Sequence, residues 1–208
     1  MKGNISEYPY ASAEPTWSNK YLWPALRNII KNRLQTGSRV MDLGCGSGAT
    51  AAMVADLGFS VTAVDPSKTG IRKATEAYRT VQFAERSAYD DLSSEFGEFD
   101  AVISLEVVEH CYWPRVFAKT VFSLLRPGGV AIISTPFHGY WKNLAIALAG
   151  KFDAHWFPLW DGGHIKFWSE KTLRALLHEV GLHDIEFQRV GRIPPLAKSM
   201  IAVARRPK

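Results

Sequence analysis

Apolar positions along the chain follow two periods in alternation. Arg39–Leu43, Ser60–Val64, Val81–Glu85, Phe99–Ser104 and Val130–Thr135 are short apolar-rich runs bounded by Gly, Pro, Ser or Asp, the pattern of buried strands. Between them the spacing is helical. Trp17–Leu34 carries Leu22, Leu26, Ile29, Ile30 and Leu34 near helical intervals, and Ala49–Leu57 is rich in helix formers and stopped by Gly58. Ser67–Tyr78 opens behind Pro66 and places Ile71, Ala74 and Tyr78 on one face. Trp113–Leu125 ends in the turn Arg126-Pro-Gly-Gly129, and Ser169 caps a helix that Gly181 stops. Ile185–Val190 and Met200–Ala204 then supply a terminal hairpin. Strands alternating with helices place the chain in the α/β class.

The segment from Pro136 to Phe167 breaks this rhythm. A connection of that length is too long for a plain link. It holds eight aromatic residues, among them Phe137, Tyr140, Trp141, Trp156, Trp160 and Phe167, together with His138, His155 and His164. The expectation is one domain over 1–208, with residues 1–36 as lead-in and cover helix and 136–168 as an aromatic-rich lid insertion. With 47% apolar residues, 208 residues can bury one sizeable core.

Composition narrows the rest modestly. A net charge of +5 suits an anionic partner without specifying one. Cys45 and Cys111 form no spaced pair, so a disulfide framework or thiolate metal site is not expected, and a reducing cytoplasm fits. No apolar run reaches the ~18 residues of a spanning helix. Around Leu144–Ala149, however, Trp141, Lys142, Lys151 and Trp156 flank an apolar patch, which suggests peripheral contact of 136–163 with the inner membrane face, a hydrophobic substrate tunnel, or a buried cover helix.

Candidate chemistry centres on Val40-Met-Asp-Leu-Gly-Cys-Gly-Ser-Gly48. Three alternating glycines after a strand permit a sharp turn and close backbone approach to a ligand, and the loop runs into a helix N-terminus. Asp65 ends the next strand, 21 residues after Gly44, where such units bind a ribose through its hydroxyls. The spacing is G-x-G-x-G rather than the dinucleotide G-x-G-x-x-G, and Asp42 precedes it. A carboxylate there repels a pyrophosphate but suits a ligand with a positive amino group. A nicotinamide oxidoreductase is therefore disfavoured.

Val40–Gly48 resembles motif I of the class I S-adenosylmethionine-dependent methyltransferases, and Val61–Ser67 resembles their ribose-binding motif. Glu98–Leu105 is similar to their motif IV, and Leu125-Arg-Pro-Gly-Gly129 to a phrase common in the class. The resemblance implies a Rossmann-like, doubly wound, seven-stranded and mostly parallel sheet with an antiparallel terminal hairpin strand. It implies S-adenosylmethionine as cofactor. Asp42, Gly44, Cys45, Gly46 and Gly48 would hold its methionine portion, Asp65 with Pro66 and Ser67 the ribose, and Ser87 and Ala88 the adenine, with Leu105 and Glu106 beside them. The resemblance also implies that the N-terminal lead-in helps to close the site, which makes Tyr8, Tyr10, Trp17 and Tyr21 candidates.

Glu106-Val-Val-Glu109-His110 follows the fourth strand, and His164 comes 54 residues later. Carboxylates and imidazoles suit Mg²⁺, Mn²⁺ or Zn²⁺, so Glu106, Glu109, His110 and His164 form a candidate metal set, with Glu109, His110 and His164 as catalytic candidates. Without a metal, His110 or His164 is the candidate general base. The layout resembles both the ubiquinone-biosynthesis O-methyltransferases and the small-RNA 3′-terminal 2′-O-methyltransferases. The chain has no dense Lys/Arg stripe and no appended RNA-binding module. The first reading is therefore O-methylation of a small aromatic or lipidic hydroxyl of catechol type. The alternatives are metal-dependent 2′-O-methylation of an RNA 3′ end, a natural-product O- or N-methyltransferase, and a non-catalytic cofactor-binding scaffold. Monomer and homodimer both remain open.

Overall fold

The computed structural model describes residues 10, 12–156, 158–160 and 162–208. Residues 1–9 and 11 of the expected lead-in, Tyr8 among them, lie outside the described residues, as do Phe157 and Asp161. Seven strands form one sheet: β1 (Arg39–Leu43), β2 (Ser60–Asp65), β3 (Gln82–Glu85), β4 (Phe99–Leu105), β5 (Leu125–Pro136), β6 (His183–Val190) and β7 (Ser199–Arg205), in the order β3-β2-β1-β4-β5-β7-β6. Pairing from β3 through β5 is parallel, and β7 runs against both β5 and β6. This is the expected doubly wound sheet with its antiparallel hairpin strand. The order reverses between β1 and β4, and open sheets of this kind bind ligands beyond the strand ends at that point.

The period-two alternation of the strands decides which helix covers which face. Val40, Ala101, Ile103, Val130 and Ile132 point to the side of α1 (Asn19–Arg33) and α2 (Ala49–Ala55), where Leu22, Leu26, Ile30, Met53 and Val54 meet them. Met41, Val102, Ala131 and Ile133 point the other way. There α4 (Leu92–Phe96), α5 (Pro114–Leu124) and α7 (Glu170–Glu179) supply Leu92, Phe117, Val121, Leu173 and Leu177. Each such side chain, fully buried, contributes roughly 1.5–3 kcal/mol. The α3 helix (Lys68–Ala77) starts at Ser67, whose hydroxyl accepts from Gly70 N–H at 3.1 Å. Both faces are covered, so ligand-accessible backbone is left at the strand ends.

Two segments depart from expectation. Arg126–Gly129, expected as a turn, belongs to β5: Leu125 pairs with Phe99 across a register shift, and Gly128 and Gly129 exchange hydrogen bonds with Arg206. Arg206, the residue just past the end of β7, continues the ladder to the glycines. The short α4 was not foreseen, although Asp91 caps it by accepting from Ser94 N–H at 3.4 Å.

The insertion is pinned at its base by a bridge between Phe137 and Trp168 and carries α6 (Tyr140–Leu148). This helix is inverted: Tyr140, Trp141 and Leu148 are exposed while Lys142 is buried, its Nζ donating to the carbonyls of Phe137 (2.8 Å) and Lys198 (3.2 Å). Phe152 stacks on Trp156 at 4.5 Å, and Phe167 meets Trp156 and His138 edge-on, so the insertion has a small aromatic core of its own. Among the described residues no helix is long and apolar enough to cross a membrane.

Candidate active site

The loops after β1, β2 and β4 open onto one cavity of about 550 Å³. Asp42, Gly44, Cys45, Gly46, Asp65, Pro66, Ser67, Ser87, Ala88, Leu105, Glu106, His110 and His164 all line it. Gly48 and Glu109 do not. Gly48 (φ +84) sits behind the wall, where a Cβ would lie 2.7 Å from Ala74 and 2.8 Å from Phe83, so its smallness serves helix–strand packing. Glu109 is buried beneath the floor.

The glycine loop supplies space more than donors. The N–H groups of Gly44 and Cys45 bond to Val64 O, that of Gly46 to Asp65 Oδ2 at 2.9 Å, and that of Gly48 to Cys45 O. Gly44 (φ +84) passes so close to Val107 that a Cβ would stand 2.5 Å from its Cγ2. With these four N–H groups spent internally and two carboxylates facing in, the loop is poorly suited to a pyrophosphate. Asp42 is buried with Oδ2 unpartnered, and its carboxyl is pushed up to about 7, first by burial and then by Asp65. An orphaned carboxylate in a cavity wall calls for a cationic ligand. Burial raises Asp65 as well, opposed by N–H groups of Ser67 (2.8 Å) and Gly46.

The lead-in roofs this end. Tyr10 lies over Gly46 and Gly70, and Tyr78 donates to Ala13 O at 2.7 Å. Asn19 accepts from Thr16 N–H (2.7 Å) and donates to Thr50 Oγ1 (3.1 Å), tying α1 to α2. Tyr10 was among the expected residues; Asn19 and Thr50 were missed, although Thr50 directly follows the glycine loop in the first turn of α2. Of the other lead-in candidates, Tyr21 reaches the site only through Ser199, its hydroxyl 3.2 Å from Ser199 Oγ, and Trp17 packs on Tyr21.

At the far end, four expected residues divide into one and three. Glu106 has a positive φ of 55° and is clamped: Oε1 accepts from Ser134 Oγ at 2.7 Å, Oε2 from Ser199 Oγ at 3.1 Å. Burial pushes its carboxyl up to about 7 against these hydroxyls and Lys142. Glu109, His110 and His164 instead converge, with ligand atoms all within 4.8 Å of one another. Both Glu109 oxygens are buried without a hydrogen-bond partner, and burial, then Glu106, holds this carboxyl well above its ordinary range. His164 Nε2 is 4.0 Å from Glu109 Oε1, beyond hydrogen-bond reach. His110 Nδ1 lies 2.7 Å from Gly162 O and 3.2 Å from Gly163 O. Carbonyls only accept, so Nδ1 carries the proton and Nε2 the lone pair. Burial lowers His110, and burial followed by His110 and His138 lowers His164 to about 4. Two neutral imidazoles beside an orphaned carboxylate fit a divalent cation. Trp160 and Tyr89 line this end too. Sequence reasoning had singled out the insertion's aromatics but could not say which one faces the cavity.

Residues 18–186 match the family described as a methyltransferase domain. The ubiquinone biosynthesis O-methyltransferase of Caulobacter sp. (strain K31) is 37% identical over 146 residues, which cover 68% of this chain and 58% of that one. The chain thus spans under two thirds of that relative's length. Among solved structures, magnesium protoporphyrin IX methyltransferase from Synechocystis PCC 6803, with bound SAH, aligns at a TM-score of 0.68 and 19% identity over 89% of this chain and 81% of that one. An S-adenosylmethionine-dependent methyltransferase from Methanosarcina mazei aligns at 0.66 and 23% identity over 86% and 97%. These two structures share the fold.

Proposed function

The chain belongs to the methyltransferase-domain family, and from that premise we propose that it transfers the methyl group of S-adenosylmethionine to a hydroxyl of a small aromatic or lipidic acceptor of catechol type. The observation that carries the reading is a single cavity that the Asp42–Asp65 pocket shares with His110 and His164, the two histidines converging on the Glu109 carboxyl buried behind them. Asp42 holds the methionine ammonium, Asp65 the ribose hydroxyls through lone pairs its two N–H bonds leave over, and the Ser87–Ala88 turn the adenine. Tyr10 and the lead-in exclude water from that end. As the carbon–oxygen bond forms, the carbon–sulfur bond breaks to a neutral thioether and the hydroxyl gives up its proton to water. Alignment of the two partners supplies much of the rate.

The trio would hold a divalent cation, Mg²⁺ or Zn²⁺, with Glu109 giving oxygen and His110 and His164 nitrogen. Such an ion lowers the pKa of a coordinated hydroxyl and orients it. Glu106, held by Ser134 and Ser199, shapes the wall between donor and acceptor. The outward apolar face of α6 supports peripheral membrane contact through 136–163, on the cytoplasmic side, where a lipidic acceptor resides.

The test is transfer of labelled methyl to a polyprenyl catechol, with and without a chelator, beside a 3′-hydroxyl RNA control. Catechol methylation lost on chelation and restored by Mg²⁺ or Zn²⁺ is the expected result. Transfer indifferent to chelation would remove the cation and leave His110 Nε2 as the base. Cofactor binding with no transfer to either acceptor would defeat the catechol reading.

A further inference from the structure

Among the described residues of the insertion, Trp160 is the one large aromatic that lines the cavity, and it does so beside His110 and His164. Its ring centroid lies 5.6 Å from His110 and 5.6 Å from His164. The residue is 38% exposed.

The ring is also fixed in place. Gly163 approaches so closely that a Cβ there would stand 2.9 Å from Trp160 O and 3.1 Å from its Cε3, so only glycine allows the loop to fold back under the indole. His110 Nδ1 donates to Gly162 O, and Ile165 and Lys166 N–H groups both bond to Glu109 O at 3.0 Å. The loop carrying Trp160 and His164 is therefore fastened to the turn that carries Glu109 and His110. A wall preorganised in this way selects among ligands without a cost of ordering at binding.

An acceptor whose hydroxyl reaches His110 and His164 has the indole within about one ring's width of the body attached to that hydroxyl. An indole face rewards a planar π-system and offers a sugar or an aliphatic diol few compensating hydrogen bonds. We infer that Trp160 is the residue that selects the acceptor, its indole forming the platform for a planar aromatic ring held by its hydroxyl at His110 and His164. The inference rests on the methyltransferase reading of the cavity and adds the residue that discriminates acceptor classes.

The experiment uses the full chain saturated with S-adenosylhomocysteine and two probes of similar size and hydroxyl spacing, catechol and trans-1,2-cyclohexanediol, with binding followed by calorimetry and catechol methylation by KM and kcat. Wild type is expected to prefer catechol. Trp160→Leu is expected to lose roughly 3- to 10-fold in catechol affinity and KM, the size of one aromatic contact. It should keep S-adenosylhomocysteine affinity within about 2-fold and leave the weak diol affinity unchanged, while Trp160→Phe recovers most of the loss. Unchanged catechol KM in Trp160→Leu, in an enzyme that methylates catechol, overturns the inference and leaves the methyltransferase reading standing. Parallel loss of S-adenosylhomocysteine affinity, in Trp160→Phe as well, overturns it in favour of a structural role. A wild type that binds S-adenosylhomocysteine but neither binds nor methylates catechol overturns it together with the proposed acceptor.

Discussion

Asp42→Asn should stabilise the ligand-free protein while weakening its hold on S-adenosylmethionine. The carboxyl is buried with one oxygen unpartnered, and its pKa rises from 3.8 to about 7 on folding. Between those values the unfolded chain gives up the proton while the folded chain retains it, so stability falls as pH rises through the window and the full cost applies above about 7. At about 1.36 kcal/mol per tenfold change in proton affinity, the cost is about 4 kcal/mol at pH 8 and about 2 kcal/mol at pH 5. Asparagine keeps the shape and removes the charge. Its own desolvation does not vary with pH, so the change in the variant's advantage is the diagnostic quantity. Urea unfolding at the two pH values should show that advantage growing by roughly 2–3 kcal/mol from pH 5 to pH 8, equivalent to roughly 4–12 °C in Tm for a chain of this size. In the same samples calorimetry should show S-adenosylmethionine affinity falling roughly 10- to 100-fold, the worth of a charge-assisted contact. An advantage that does not change with pH, or cofactor affinity that survives the substitution, would refute the assignment of Asp42 as an uncompensated carboxylate awaiting a cation.

The remaining expectations test the far end and the loop. Glu109→Gln should reduce Mg²⁺ or Zn²⁺ affinity by about two orders of magnitude in calorimetric titration, whereas Glu106→Gln should change it less than about 3-fold, because Ser134 and Ser199 already occupy that carboxylate; equal losses would return Glu106 to the metal set. Gly44→Ala should cost roughly 2–4 kcal/mol in urea unfolding, from the positive φ and the 2.5 Å approach to Val107, and should weaken cofactor binding. Gly37→Ala, with a similar φ of +85° and nothing within 4 Å, should cost only about 1–2 kcal/mol, and a Gly44 variant no worse than this control would show that Val107 yields freely.

Much of this was legible along the chain because it depends on local pattern. Alternating periods of two and 3.6 placed the seven strands and five of the principal helices, and the G-x-G-x-G turn with Asp42 before it and Asp65 after it placed the cofactor end. Those features are short-range: a short apolar run bounded by turn residues, glycine where φ is positive, a capping serine at position 67 or 169. The pattern failed where a distant segment intervened, as at Gly128 and Gly129, which Arg206, just past the end of β7, draws into β5.

The chemistry of the acceptor end could not be settled in the same way. Glu106, Glu109 and His110 are neighbours in sequence, yet Glu106 turns to hydroxyls on β5 and β7 while Glu109 is left without partners, and His164 joins from across the insertion. Which of eight insertion aromatics meets the cavity was likewise unreadable, since all carry similar local signals. The sequence by itself determined the elements, their order and the residues able to face a nucleoside, because each is dictated by steric and hydrophobic rules acting over a few residues. Only the tertiary structure decided which polar groups satisfy one another and which stay orphaned in the cavity, because desolvation and hydrogen-bond pairing depend on neighbours brought from elsewhere in the chain.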